Sequence, residues 1–262
     1  MLMLMSSNPT GILSPAEALA LLPGAFAEVT AKVQAEERRA AWLEQKRGKF
    51  GASSAGKLWT ATLQPADNAT SRGYIADKAA ELDGAVAPEI GGASIRWGNE
   101  QEGPGMLEFI ERTGLVVTHH GDEQEWIAAD WSDQVGCTPD GIATNHKGQR
   151  IPVEQKNPHS CAIHARHLTM QDGADLLKYA HPYWCQVQHQ IMVLNAPFGV
   201  YFVRDSRRTE PAARMGWWIV PRDDDFIEQH KARLLEAVTE RNDLYNAQAG
   251  REWVDLLTFI KQ

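Results

Sequence analysis

The amino-acid sequence predicts an α/β fold, in which a mixed central sheet is flanked by helices and preceded by a helical N-terminal extension. Three observations carry that expectation. Apolar residues recur at helical spacing up to about Thr113. The period then shortens to that of strands, in brief turn-bounded runs between about Leu115 and Lys156. From Cys161 onward helical and extended patterns alternate and close on a long helical run, the layout of a sheet covered by helices.

The elements follow in order. Ser14 as N-cap, Pro15 in the first turn and Glu17 completing a capping box open the first helix. Pro23-Gly24 is expected to interrupt it, with a second helix from about Ala25 to Gln45. Gly48–Ser54 reads as a loop in which Ser53 or Ser54 caps a short helix reaching Trp59. Helical spacing returns at Tyr74, Ile75, Lys78, Ala79 and Leu82, ends at Gly84, and is followed by a break at Gly91-Gly92. A helix from about Ala93 to Thr113 stops at Gly114, and Pro104 is expected to break or kink it. Strands are expected over Leu115–Thr118, Trp126–Ala129, Val135–Thr138, Ile142–Thr144 and Arg150–Lys156, with a hairpin turn at Asn145-His146-Lys147-Gly148. Helices over Cys161–Met170 and Tyr183–Leu194, strands over Gly199–Arg204 and Trp217–Pro221, and a helix from Asp223 to about Ala247 complete the chain. Residues 1–41 are assigned to the helical extension and 42–262 to the α/β domain.

A hydrophobic content of 43% in 262 residues is ample for a core, so disorder is not the default. The net charge of −8 argues against a generally basic nucleic-acid coat, although a local basic strip can coexist with an acidic exterior. The three cysteines, Cys137, Cys161 and Cys185, form no Cys-x-x-Cys pair. They read as free thiols in a reducing cytosol and give no zinc or iron–sulfur framework. Met1–Met5 is too short for a signal h-region, lacks a basic flank and runs into Ser6-Ser7-Asn8-Pro9. No apolar run approaches the roughly 20 residues of a membrane span. A soluble, cytoplasmic protein is expected.

The chemistry concentrates in the middle of the chain. Pro139-Asp140-Gly141 is followed, after a Lys-Gly turn, by Glu154-Gln155-Lys156. In the run Ile151 to Lys156, Ile151 and Val153 face one side of a strand while Glu154 and Lys156 share the other. Two carboxylates suit a hard cation that keeps several waters, and a neighbouring lysine can orient or activate one of them. Charged residues two apart on a strand are, however, ordinarily just solvated, so the motif needs support. Glu102, on the helix before the sheet, could project a third carboxylate, against its bland reading as a surface glutamate. Asp130 is either a loop cap or a further acidic residue of the site. Gln186 and Gln190 lie one helical turn apart, on a face shared with Tyr183, where amides could brace a water or a phosphate. Lys46, Arg47, Lys49, Ser53, Ser54 and Lys57 lead into a helix, and hydroxyls, cations and a helix start together make an anion pocket; a solvated linker is the plain alternative. His159, His164 and His167 lack the partner set of a metal cluster and read as surface or backbone-facing groups. Trp217-Trp218 on a strand points one ring each way, which favours core and interface roles over sugar binding.

With these residues in order, the chain resembles the exonuclease of phage lambda and the wider YqaJ-like viral recombinase family, over roughly residues 42 to 230. The resemblance rests on Trp97-Gly98-x-x-x-Glu102, Leu107-Glu108-Phe109, Gly114-Leu115, Cys137-Thr138-Pro139-Asp140-Gly141 and Glu154-Gln155-Lys156-Asn157-Pro158. Tyr183-Trp184-Cys185-Gln186-Val187-Gln188, Tyr201-Phe202 and the run Val220–Asp225 extend it. It implies a restriction-endonuclease-like PD-(D/E)xK core and a Mg2+-dependent exonuclease, with Mn2+ able to substitute and two ions per site. It also implies a ring-shaped homotrimer that threads duplex DNA, degrades the 5′ strand and hands the 3′ strand to a single-strand annealing protein. Carried onto this chain, Asp140 and Glu154 become metal ligands with the Gln155 carbonyl, and Lys156 the base or transition-state cation. Glu102 and Asp130 become further acidic residues, Gln186 the site glutamine, and Ser53, with neighbouring Ser54, the hydroxyl of a 5′-phosphate pocket. The family's pocket arginine falls on Lys46, with Arg47 beside it, so the phosphate-binding cation is open. Gly103-Pro104-Gly105 is unlike the family's helical stretch.

The rivals are an endonucleolytic or RecB-like nuclease of the same core and a non-catalytic DNA-binding or annealing protein keeping the fold. Paired-carboxylate glycoside hydrolysis would leave Lys156 unexplained.

Overall fold

The computed structural model describes residues 15–86 and 91–251; Met1–Met5, the Ser14 cap and the Glu17 side chain lie outside the described residues. The chain divides into two units, Met1–Gln45 and Lys46–Gln262. The first carries one helix, α1 (Pro15–Lys46), whose last residue belongs to the second unit. Pro23-Gly24 does not interrupt α1. The flanks are rich in Ala, Leu and Glu, whose helix propensity carries the backbone across the missing hydrogen bond.

The second unit begins with β1 (Phe50–Gly51), a 3-10 turn over Ala52–Leu58, and α2 (Ala69–Leu82). Asn68 and Ser71 cap α2 reciprocally. Ser53 and Ser54 lie inside the 3-10 turn, and no side chain caps its start. α3 (Ala93–Thr113) runs unbroken through Pro104 to Gly114, contrary to the expected kink. Pro104 is exposed, so water can take the carbonyl freed at Glu100.

The strands are β2 (Val117–Thr118), β3 (Ile127–Ala129), β4 (Ser132–Cys137), β5 (Gly141–Thr144) and β6 (Arg150–Lys156). Then come α4 (Cys161–His167), α5 (Asp175–Leu194), β7 (Phe198–Arg204), α6 (Pro211–Arg214), β8 (Met215–Pro221) and α7 (Asp224–Ala249). The expected mixed sheet is five-stranded, in the order β2-β5-β6-β7-β8, and a separate three-stranded sheet runs in the order β1-β4-β3. Pro139, which has no N–H to give a ladder, separates β4 from β5, and the chain changes sheet there.

β6 is the central strand, antiparallel to β5 and parallel to β7. Pro152 sits where β6 pairs with β5 but before its pairing with β7 begins at Val153, so its missing donor breaks no ladder bond there. The register pairs Glu154 with Tyr201 and Gln155 with Phe202, so Glu154 and Gln155 face opposite sides. α3 covers the Gln155 side, where Phe109 stacks on Phe202 at a centroid distance of 4.4 Å. α5 covers the Glu154 side, its Tyr183 stacked against Tyr201. Trp217 is exposed and edges onto Phe109, while Trp218 packs towards Tyr201, as the alternating strand predicts.

A buried relay ties four segments together. Trp59 Nε1–H donates to His230 Nδ1 at 2.8 Å, which leaves His230 Nε2–H to donate to His189 Nδ1 at 3.0 Å. His189 Nε2–H then donates to the Gly136 carbonyl at 3.0 Å. Indole donates only and a carbonyl accepts only, so both ends fix the histidine tautomers and require both rings to be neutral. Burial depresses the His189 pKa to about 4, and burial with the adjacent His189 holds His230 well below the usual histidine range.

Candidate active site

The alternation read from the sequence puts Glu154 and Lys156 on one face of β6. There Lys156 Nζ is hydrogen-bonded to Glu154 Oε1. Glu154 is fully buried, and both its oxygens are engaged from α5: Gln186 Nε2 donates to Oε1 at 2.7 Å and Gln190 Nε2 to Oε2 at 2.6 Å. The spacing of the two glutamines by one helical turn delivers both amides to one carboxylate. Lys156 lies 5.1 Å from the centroid of the Tyr183 ring, one turn before Gln186.

Asp140 stands just before β5, next to the Gly141–Val153 pair, and its Oδ2 accepts the Gln155 backbone N–H at 2.7 Å. Burial, the charge of Glu154 and then that of Glu102 push the Asp140 carboxyl well above the usual range, outweighing Lys156 and the Gln155 amide. Burial alone would lower the Lys156 ammonium, but Glu154 and Asp140 outweigh it and hold that group above the usual lysine range, hence charged.

Gln155, on the opposite face, is the fastening between sheet and α3. Its Nε2 donates to Gln101 O at 3.2 Å and to Asn157 Oδ1 at 3.1 Å. Gly105 makes that approach possible: a Cβ there would stand 2.0 Å from Gln155 Nε2. Gly105 is therefore a close-packing device inside an intact helix. That helix brings Glu102 to the cleft, where Oε1 accepts from Gln124 Nε2 at 2.7 Å.

A cleft of about 370 Å³ is lined by Glu102, Asp140, Gln155, Lys156, Asn157 and Tyr183, with the start of α3 on its far wall. No group of three or more His, Cys, Asp or Glu side chains poised for a metal occurs among the described residues. The donor set nevertheless fits Mg2+, which is bound through one or two carboxylates and keeps waters. Asp140 is disfavoured as a bare anion beside Glu154, and the Gln155 Oε1 is buried without a partner. A hard cation beside Asp140 would remove the first of these penalties.

Asp130 is not brought to the cleft. It is exposed in the turn between β3 and β4, at the end of β4 remote from Asp140. The six residues of β4 separate them by about 20 Å. The carry-over that makes Asp130 a site residue thus meets a tight hairpin, where it is a turn residue.

A second, smaller pocket of about 60 Å³ is lined by Lys46, Lys49, Ser53, Ser54, Tyr74, Lys78 and Trp126. Lys46 approaches the Trp126 ring at 5.9 Å, and Lys57 and Lys78 approach the Tyr74 ring at 5.1 and 6.0 Å. Burial and then Lys78 lower the Lys46 pKa to about 8, against Glu81. Arg47 is exposed and does not line this pocket. Tyr74, Lys78 and Trp126 are additions that sequence reasoning missed, although Tyr74 and Lys78 stand one turn apart on α2. His164 and His167 are buried and bonded to the Ala213 and Ile163 carbonyls, while His159 edges onto Trp97.

The chain matches the model of the YqaJ-like viral recombinase domain over residues 41–197. Among solved structures it is similar to an alkaline exonuclease, LHK-Exo, from Laribacter hongkongensis, with a TM-score of 0.64 at 20% identity over 80% of this chain and 96% of that one. The same exonuclease in complex with dAMP gives a TM-score of 0.64 at 21% identity over 80% and 95% of the two chains. A phage related exonuclease from Haemophilus somnus 129PT gives 0.60 at 16% identity over 76% and 96%. At these identities the likeness establishes the fold alone, a mixed α/β core flanked by helices. No curated protein matches the chain.

Proposed function

The chain belongs to the YqaJ-like viral recombinase family, and on that premise we propose that it is a Mg2+-dependent exonuclease that degrades the 5′ strand of linear duplex DNA. The observation that carries this reading is the placement of Asp140 and a charged Lys156 on one cleft, with the buried Glu154 hydrogen-bonded to that lysine behind it. The exonuclease names of the similar folds support it.

Asp140 and Glu154, with the Gln155 carbonyl, would hold the metal. Bound Mg2+ supplies neutralisation of phosphate charge and a more acidic water; Mn2+ is expected to substitute, with two ions per site. Lys156 offers a fixed cation to orient the attacking water or to meet charge developing on the phosphate. Gln186 and Gln190 hold Glu154 from behind, and Tyr183 limits the swing of the Lys156 side chain. Glu102 adds a third acidic group at the rim. Asp130 has no part in this proposal.

The small pocket is the site proposed for a 5′ phosphate, with Lys46, Ser53 and Ser54 as its ligands and Lys49 and Lys78 adding charge. Lys46 lines that pocket and Arg47 does not, which favours Lys46 for the role. The resemblance further supports a homotrimer around the duplex, transfer of the 3′ strand to a single-strand annealing protein, and work in the host cytoplasm. No described helix is long and apolar enough to cross a membrane.

The test is digestion of strand-labelled linear duplex DNA carrying a 5′ phosphate or a 5′ hydroxyl, with and without Mg2+. Mg2+-dependent loss of the phosphorylated strand, sparing its complement, is expected. DNA binding without strand loss would refute the enzyme reading and favour a non-catalytic binder, and cutting of closed circles would favour an endonuclease.

A further inference from the structure

Between the two pockets lies a contact to which one side, a glycine, brings no side chain. Ser53 and Ser54 sit on the 3-10 turn Ala52–Leu58, and Gly56 lies on the same turn. A Cβ at Gly56 would stand 2.8 Å from the Pro182 Cα and 3.1 Å from its Cβ. Pro182 immediately precedes Tyr183, and Gln186 follows one turn later.

α5 is broken at this point. Ala180 has φ −154° and ψ 67°, far from helical values, so the helix restarts with Pro182 in its first turn. Proline there needs no N–H partner and fixes φ near the helical value. The segment that carries Tyr183, Gln186 and Gln190 therefore begins where the 3-10 turn touches it. Backbone against backbone has little slack, unlike a contact through flexible side chains.

We propose that the Gly56–Pro182 contact is a spacer that sets the distance between the end-phosphate pocket and the Asp140–Lys156 cleft. It thereby selects which phosphodiester of the 5′ strand is attacked. Gly56 and Pro182 are positioning residues: one acts through Ser53 and Ser54, the other through Tyr183 and Gln186. The inference rests on the function proposed above and names the geometry by which an anchored end is converted into a defined cut.

Gly56→Ala tests it, because the added methyl forces the turn and α5 apart. A misplacement on the order of 1 Å lowers rate about 100-fold where an anchored phosphate dictates the pose. Rates on 5′-phosphorylated and 5′-hydroxyl duplexes, and the lengths of the released nucleotides, are measured in wild type, Gly56→Ala and Pro182→Ala. Circular dichroism and thermal melting select the folded variants. Pro182→Ala loosens the restart of α5 without jamming it, and it carries the test if Gly56→Ala fails to fold. The expected result is a fall of about 10- to 100-fold in the ratio of phosphorylated to hydroxyl rates, with released products of mixed length. An equal loss on both substrates, or an unchanged ratio and product length in folded variants, would overturn the inference alone. Wild type indifferent to the end phosphate would remove the proposed end recognition, and this inference with it.

Discussion

Acid should weaken this fold through His189, and the size of the effect follows from the Trp59–His230–His189–Gly136 relay. His189 is fully buried and neutral, with its pKa depressed from 6.5 to about 4. An unfolded chain binds a proton near pH 6.5 that the folded chain refuses until about pH 4. Stability is therefore fully present above about pH 6.5 and drains away as pH falls towards the folded value. At about 1.4 kcal/mol per pH step, roughly 2 kcal/mol is lost by pH 5 and roughly 3 by pH 4. His230, depressed by burial and by His189, adds to the loss in the same direction. The perturbation is His189→Gln, which removes the titration. Urea unfolding of wild type and variant, followed by tryptophan fluorescence at pH 7 and pH 5, gives the stability gap at each pH. Wild type should lead at pH 7, with its lead smaller by about 2 kcal/mol at pH 5. A gap that does not change with pH would refute the neutral, tautomer-locked relay.

Other substitutions bear on the site and the core. Lys156→Ala and Glu154→Ala are each expected to lower DNA digestion by about 100- to 10,000-fold while circular dichroism stays native. Wild-type turnover in either purified variant would sink the site assignment. Gln190→Leu removes the donor to Glu154 Oε2. It should raise the Mg2+ needed for half-maximal digestion by about 10-fold or more, as loss of a ligand's supporting hydrogen bond does; an unchanged Mg2+ titration argues against that support. Phe109→Ala removes a fully buried ring stacked on Phe202. Its cost of about 3–5 kcal/mol should appear as an earlier urea midpoint, and a loss below about 1 kcal/mol would mean that α3 is not anchored there.

The parts of the structure that were legible in the sequence are those set by local periodicity and short-range chemistry. β6 was readable from Arg150 to Lys156 because Ile151 and Val153 alternate with Glu154 and Lys156. The Gln186 and Gln190 pair was readable because helical spacing alone places both on one face. What escaped depended on distant segments meeting. The split into two sheets turns on where β1 finds β4, 85 residues along the chain. The relay joins Trp59, Gly136, His189 and His230, none of them neighbours in sequence. Gly105 belongs to a run that read as unlike the family's helical stretch, yet it serves the approach of Gln155. Asp130 failed for a related reason, since its distance from Asp140 is set by a hairpin that residue spacing does not reveal.

Gln155 occupies the position that the Glu-x-Lys pattern leaves blank, but it is no spacer. Its main chain tethers Asp140, its amide reaches Gln101 and Asn157, and its two neighbours supply the acid and the cation. Three consecutive residues thus supply the acid and the cation and tether Asp140 from one peptide run. Fraying of β6 at this end would disperse every component together, so the centre has no half-assembled form to occupy. Loss of activity under mild denaturant should be as abrupt as the exchange of the Gln155 amide proton, with no plateau of reduced turnover between the intact and the silent protein.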